Sequence, residues 1–272
     1  MNREDVQMNT KKVCYLFFDF DGTVFMGGEI PMAHREAMAA AQALGHQLIL
    51  NTGRARGGLD FSKERHQGVN WDGMIFGGCD ISYGGRRDHE HHLSEAAVLR
   101  WMQYAMEKDL WITLEGEEEV LRFHLDKEDY EPKKQGKAYL MEMAKVLLQR
   151  TTVTKLSLGG LDADAPITTE TVIKHGHYVE VLPEGRDKGV AVLDFCRIHG
   201  VDPEQCVCFG DSLNDLAVFR VCPTSICMKK SEEAVKQLAT YCAESDFGVA
   251  EGLKWLFGND LDLTNKEKSG II

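Results

Sequence analysis

The chain has 272 residues, 43% of them hydrophobic and 27% charged, with a formal net charge of -12. That composition is ordinary for a globular protein, and the length is one at which a single core begins to divide into two domains. The negative balance argues against a general nucleic-acid binder, and no stretch of about 18 apolar residues offers a membrane span.

Residues 12–18 (KVCYLFF) form a continuous apolar run ending at Asp19, the pattern of a strand buried on both faces of a parallel sheet. Pro31 opens an Ala-rich stretch, 32–44, that Gly45 closes, which predicts a helix with proline at its start and glycine past its end. Residues 46–50 read as a second strand running out at Asn51-Thr52-Gly53-Arg54, and 74–76 as a short third one. This alternation predicts a doubly wound α/β domain. After about Asp80 the pattern changes. A hairpin around Gly84-Gly85 is expected over 81–92, a helix over 94–108 with Ser94 as N-cap, and strands over 110–114 and 120–125. A helix over 137–149 and strands over 153–158 and 177–182 follow; the short interval 159–175, which holds Pro166, reads as a place where a helix has been lost. The α/β rhythm resumes at Gly185, with a helix over 188–199, a buried strand over 206–209 ending at Gly210-Asp211, a helix over 213–221 and a last strand over 224–228. The expected architecture is a Rossmann-like, doubly wound parallel-sheet core formed by 1–81 and 184–272, interrupted by an inserted α+β domain over 82–183.

Four segments carry chemistry, each at a strand end or a helix start, where open α/β sheets bind ligands. In Asp19-Phe20-Asp21-Gly22-Thr23 two carboxylates leave a buried strand, and Gly22 allows a sharp turn after them. In Thr52-Gly53-Arg54 a hydroxyl stands at a strand end, suited to donate to a phosphate oxygen. Lys188 opens an amphipathic helix; alone, a lysine there is most often a solvated charge. Gly210-Asp211-Ser212-Leu213-Asn214-Asp215 joins a buried strand to a helix with two carboxylates and an amide, oxygen ligands suited to a hard cation such as magnesium. An ordinary N-cap, with Ser212 capping and Asp215 facing the helix dipole, is the structural alternative for this last segment.

These segments, in this order, resemble the haloacid dehalogenase superfamily of phosphohydrolases, and more narrowly its Cof-type members, whose cap domain is inserted between the second and third motifs. The resemblance spans nearly the whole chain and is weak through the cap. It implies that Asp19 is the nucleophile and Asp21 the general acid/base. Thr52, Gly53 and Lys188 would bind the transferring phosphoryl group. Asp211 would hold Mg2+ with Asp19 and the backbone carbonyl of Asp21, and Arg54, Asn214 and Asp215 would support the site. Together they imply a magnesium-dependent phosphatase of small phosphorylated metabolites, sugar phosphates first, acting through an aspartyl-phosphate. A phosphomutase, or a catalytically silent binding protein on the same fold, is the alternative. Members often carry Asn-Gly-Ala after the third strand; here Gly77-Gly78-Cys79 stands instead.

The charges agree with this reading. Asp19, Asp21, Asp211 and Asp215 place four negative charges against Lys188, an excess that calls for a divalent cation before a phosphate dianion enters. The remaining signals read as structural. His89, His91 and His92 suit solvated strand positions better than a metal cluster, with no Cys pair at zinc spacing beside them. Cys206, Cys208, Cys222 and Cys227 suit small apolar core residues better than a zinc site, and the eight scattered cysteines fit reduced thiols of a cytoplasmic protein. Glu117, Glu118 and Glu119 read as a solvated turn, and Trp101, Met102 and Met106 as packing within the cap. Residues 1–10 lack the apolar run of a secretory signal, and 265–272 read as a loose tail. No nucleic-acid or membrane partner is expected, and oligomeric state is not legible.

Overall fold

The computed structural model describes residues 12–59, 68–117, 119–162, 165–258 and 261; the expectations for 1–10, 265–272 and Glu118 lie outside the described residues. The chain divides into two units, one formed by Met1–Gly53, Phe61–Asp88 and Lys188–Ile272, the other by Arg54–Asp60 and His89–Asp187. Among the described residues, no helix is long and apolar enough to cross a membrane.

In the first unit the leading apolar run becomes strand β1 (Tyr15–Phe18), with Leu16, Phe17 and Phe18 buried. Helix α1 (Met32–Ala43) starts directly after Pro31, and Gly45 leaves it at φ +93° while its N–H closes on Gln42. Strand β2 (Gln47–Thr52) pairs parallel with β1, bringing Phe17 beside Ile49 and Phe18 beside Leu50. Strand β3 (Gly73–Phe76) continues the parallel order. The chain then reverses through Gly77 and Gly78, both at positive φ, into β4 (Asp80–Tyr83), which pairs antiparallel with β3; β5 (Arg86–Glu90) follows at the edge of the same sheet. Gly84 and Gly85 sit at φ +59° and +77°, the two positive values a two-residue hairpin turn requires. The expected hairpin therefore forms, but its first strand extends the parallel-sheet core and does not open the insertion at residue 82. The physical reason is burial: Ile81 packs in one cluster with Phe17, Ile49 and Ile75, and beyond the expected boundary Tyr83 packs against the same cluster.

The second unit begins with α2 (Glu95–Glu107), whose N-cap Ser94 accepts the Ala97 N–H at 3.2 Å. Strands β6 (Ile112–Gly116) and β7 (Val120–Phe123), short helix α3 (Glu131–Lys134), helix α4 (Lys137–Leu148) and strands β8 (Val153–Gly159), β9 (Thr171–His175) and β10 (Tyr178–Leu182) complete it. The five strands lie in the order 7-6-8-10-9, every adjacent pair antiparallel. Trp101, Met102 and Met106 are buried in this unit's core against strand residues such as Ile112, Leu156 and Val181, as expected. The interval read as a place where a helix has been lost holds no helix among its described residues and supplies β9, whose β-branched Thr171, Val172 and Ile173 pair with β10.

The chain re-enters the first unit with α5 (Lys188–His199) and strand β11 (Cys206–Gly210). A single 3-10 turn, Leu213–Asp215, then leads into α6 (Leu216–Val221), so the helix expected over 213–221 is split. Strand β12 (Thr224–Cys227) is followed by α7 (Glu233–Leu238), β13 (Tyr241–Cys242) and α8 (Gly248–Phe257), three elements the sequence reading did not place. The sheet order is 13-12-11-1-2-3-4-5, parallel from β13 through β3. Central β1 thus lies between β11 and β2. The carboxyl ends of these three strands carry Asp19, Asn51-Thr52 and Gly210-Asp211 side by side. His89 and His91 are half-buried with rings edge to face at 4.3 Å, and Cys206, Cys208, Cys222 and Cys227 are buried free thiols.

Candidate active site

Asp19 follows the last residue of β1 and is pinned there by its own N–H, which donates to the Phe209 carbonyl of β11 at 2.9 Å. Only 6% of Asp19 is exposed. Lys188, the first residue of α5, is equally buried and turns its ammonium into the sheet end. Its Nζ donates to Asp19 Oδ1 at 2.6 Å, to Asp215 Oδ1 at 2.8 Å and to Asn214 Oδ1 at 3.3 Å, which uses all three of its protons. A lysine that reads alone as a solvated charge is here the hub of the site.

The segment after β11 folds around Asp215. The second carboxylate oxygen of Asp215 accepts the N–H groups of Asp211 at 3.0 Å and Ser212 at 3.2 Å. Asp215 thus caps the 3-10 turn with one oxygen and holds Lys188 with the other. Gly210 is required by this packing, because a Cβ there would stand 2.6 Å from the Asp215 carboxyl carbon. Gly22 is required twice over: it sits at φ +83°, and a Cβ would run into the Asp211 carboxylate. The turn it belongs to is closed by the N–H groups of Val24 and Phe25 on the Phe20 carbonyl, at 3.0 and 2.8 Å, and by stacking of the Phe20 and Phe25 rings. Asp21, the second carboxylate of that turn, is exposed.

Thr23 is the residue the sequence reading passed over. Fully buried, it donates its hydroxyl to Asp211 Oδ1 at 3.2 Å and so ties the turn after β1 to the turn after β11, 188 positions away. Its place two residues after Asp21 was the available signal. Thr52 ends β2 with almost no exposure, and its carbonyl accepts the Gly77 N–H. Gly53 lies close under the site: a Cβ on it would be 3.2 Å from Asn214 Nδ2 and 3.8 Å from Lys188 Cε. Asp19, Thr52, Gly53, Lys188, Asp211, Asn214 and Asp215 are thus gathered at one sheet end, while Arg54 belongs to the other unit.

Three carboxylates, Asp19, Asp211 and Asp215, bring oxygens within 4.8 Å of one another. One ammonium faces them, and the imbalance appears in their acidities. Burial, with the charges of Asp215 and Asp211, pushes Asp19 well above the ordinary carboxylate range against the pull of Lys188. Burial and then Asp215 raise Asp211 to about 6, with the Thr23 hydroxyl working the other way. Lys188, despite burial, is driven upward by Asp19 and Asp215 and stays charged. Two buried carboxylates and the half-buried Asp211, all oxygen donors, fit a hard divalent cation, whose charge would offset part of the burial cost and mutual repulsion that raise Asp19 and Asp211.

The sequence pattern of the haloacid dehalogenase-like hydrolases matches residues 16–253. A phosphoglycolate phosphatase of Saccharolobus solfataricus is 34% identical over 89 residues, covering 30% of this chain and 38% of that protein. A 5-amino-6-(5-phospho-D-ribitylamino)uracil phosphatase of Bacillus subtilis is 32% identical over 83 residues, covering 30% of this chain and 31% of that protein. The chain thus spans under two fifths of the length of these curated relatives. Among solved structures, a phosphatase from Bacteroides thetaiotaomicron superposes with a TM-score of 0.72 at 18% identity, covering 89% of this chain and 94% of that one, and shares the fold.

Proposed function

This chain belongs to the haloacid dehalogenase-like hydrolase family, and we propose that it is a magnesium-dependent phosphatase of small phosphorylated metabolites, sugar phosphates foremost, working through an aspartyl-phosphate. The inserted α+β unit is read as the family's cap domain. The observation that carries the proposal is the buried Lys188, bonded at once to Asp19 and Asp215, beside an Asp211 held by Thr23.

In this reading Asp19 supplies the attacking oxygen. A carboxylate oxygen forms a bond to phosphorus as the bond from phosphorus to the leaving oxygen breaks, and Asp21 gives that oxygen its proton. The exposure of Asp21 supports a group that exchanges protons with substrate and water. In the second half Asp21 takes a proton from water, the water oxygen bonds to phosphorus, and the acyl-phosphate bond breaks to return Asp19 and release inorganic phosphate. Lys188 holds Asp19 Oδ1 in place and offers positive charge to the phosphoryl oxygens, with Thr52 and Gly53 as further donors. Asp19, Asp211 and the backbone carbonyl of Asp21 would hold Mg2+, which supplies charge neutralisation of nucleophile and phosphoryl group together.

A screen of phosphorylated metabolites with magnesium tests the proposal. Release of inorganic phosphate from a monophosphate, with no bisphosphate activator, is expected. Transfer only to a second substrate hydroxyl would turn the reading to a mutase, and no turnover of any phosphate ester would remove it.

A further inference from the structure

Strand β2 reads Gln-Leu-Ile-Leu-Asn-Thr and is buried from its second residue onward. Asn51 is the anomaly in it. The residue is 2% exposed, and among the described residues its amide oxygen has no hydrogen-bond partner. A buried amide left in this state is costly, and a leucine would suit a central parallel strand better.

The register says what Asn51 stands beside. β1 and β2 pair Phe17 with Ile49 and Phe18 with Leu50, so the next pair is Asp19 with Asn51. Partners in adjacent parallel strands lie about 4.8 Å apart at their Cα atoms and project to the same face. That face is set by Phe17, Ile49 and Ile75, which pack in one cluster with Ala191 and Val192 of α5, the helix whose first residue is Lys188. Asn51 is therefore the lateral neighbour of Asp19 on the side from which Lys188 approaches. Lys188 fixes Oδ1 of that carboxylate at 2.6 Å, and its protons are all committed.

We propose that Asn51 is a positioning residue for Asp19: its amide, turned to present N–H, steers the carboxylate that Lys188 holds by one oxygen only. The two ends of an amide exchange by a half-turn of the last side-chain torsion, so the same side chain presents either donor or acceptor. The role rests on Asp19 being the nucleophile.

The experiment compares Asn51→Leu, Asn51→Thr and Asn51→Val with the wild type and Asp19→Asn, using p-nitrophenyl phosphate with magnesium. Asn51→Leu removes the unpartnered amide and should raise the unfolding midpoint by about 2 to 6 °C. It should lower kcat by roughly tenfold to a hundredfold, because the nucleophile is less well aimed, with KM little changed. Thr and Val have one shape and differ by a hydroxyl, so Asn51→Thr should keep more of kcat than Asn51→Val, even if the leucine variant does not fold. An unchanged kcat in the leucine or valine variant, or a fall in stability that tracks the loss of activity equally in Thr and Val, overturns the role. If Asp19→Asn itself retains turnover, the nucleophile reading fails and not merely this one.

Discussion

Each unit buries a lysine between two carboxylates, and the two arrangements are opposites. In the inserted unit Lys155 donates to Glu180 at 2.8 Å and lies 3.3 Å from Glu115. Ser157 donates to Glu115, and His175 meets Glu180 at 3.1 Å. Burial would raise Glu180, but Lys155 and His175 overcome it and hold that carboxyl down at about 2. In the core unit Lys188 is gripped as closely, yet Asp19 and Asp211 are pushed upward. The first cluster is satisfied by what it contains. The second sets three carboxylates against one ammonium, an excess that a bound cation would offset in the proposed reading. A buried ion pair by itself is thus a poor sign of function.

The difference would disappear if the core cluster needed no metal. Excess chelator should abolish turnover, magnesium should restore it, and calcium should do so poorly because its larger, looser shell disturbs in-line geometry; assays of phosphate release across a metal series check this, and full activity in chelator would contradict it.

Asp21 sharpens the chemistry next. In single-turnover measurements, Asp21→Asn should slow leaving-group release from a sugar phosphate by roughly 10² to 10⁴-fold, the usual worth of general acid–base catalysis. Nitrophenolate needs no proton to depart, so its release should suffer far less. Equal losses would confine Asp21 to structure or metal binding.

Smaller effects are expected at the inserted unit. Lys155→Met strands the buried Glu180 and the half-buried Glu115 and should lower stability by about 3 to 5 kcal/mol, measurable by denaturant unfolding; a change under about 1 kcal/mol would mean the cluster is not the tie described. The smallest effect is one of pH. The folded-state acidity of Glu180 lies at about 2, below its ordinary 4.5, so its contribution is complete above pH 4.5 and is lost as pH falls through 2. Wild type should therefore lose stability over that window, and Glu180→Gln should show a flatter acid limb there. Identical acid limbs would contradict the assignment.

The core was legible because its signals are local. Apolar runs ending in Asp19, Asn51 and Gly210 mark buried strands, and the chemistry sits on the next residue or two. What was hidden is pairing at a distance. Whether Asp80–Tyr83 joins the core sheet or the insertion is decided by Ile81 meeting Ile75 across the strand pair, which the local sequence does not record. The bond from Thr23 to Asp211 joins two turns with no shared pattern. Helix α8 follows Phe247 with no side-chain cap, so its start carried no signal. Strand β9 was different: Thr171-Val172-Ile173 carries a local β-branched signal, set five residues after Pro166.

In the proposed reaction, phosphate passes through Asp19. Mixing enzyme and magnesium with a substrate labelled in its phosphate, quenching in acid within one turnover, and mapping the labelled peptide tests it directly. Label is expected on the peptide containing Asp19, in an acyl-phosphate bond that hydroxylamine cleaves, and none in Asp19→Asn. Phosphate release at full rate with no label on the protein, or label on another residue, would contradict it.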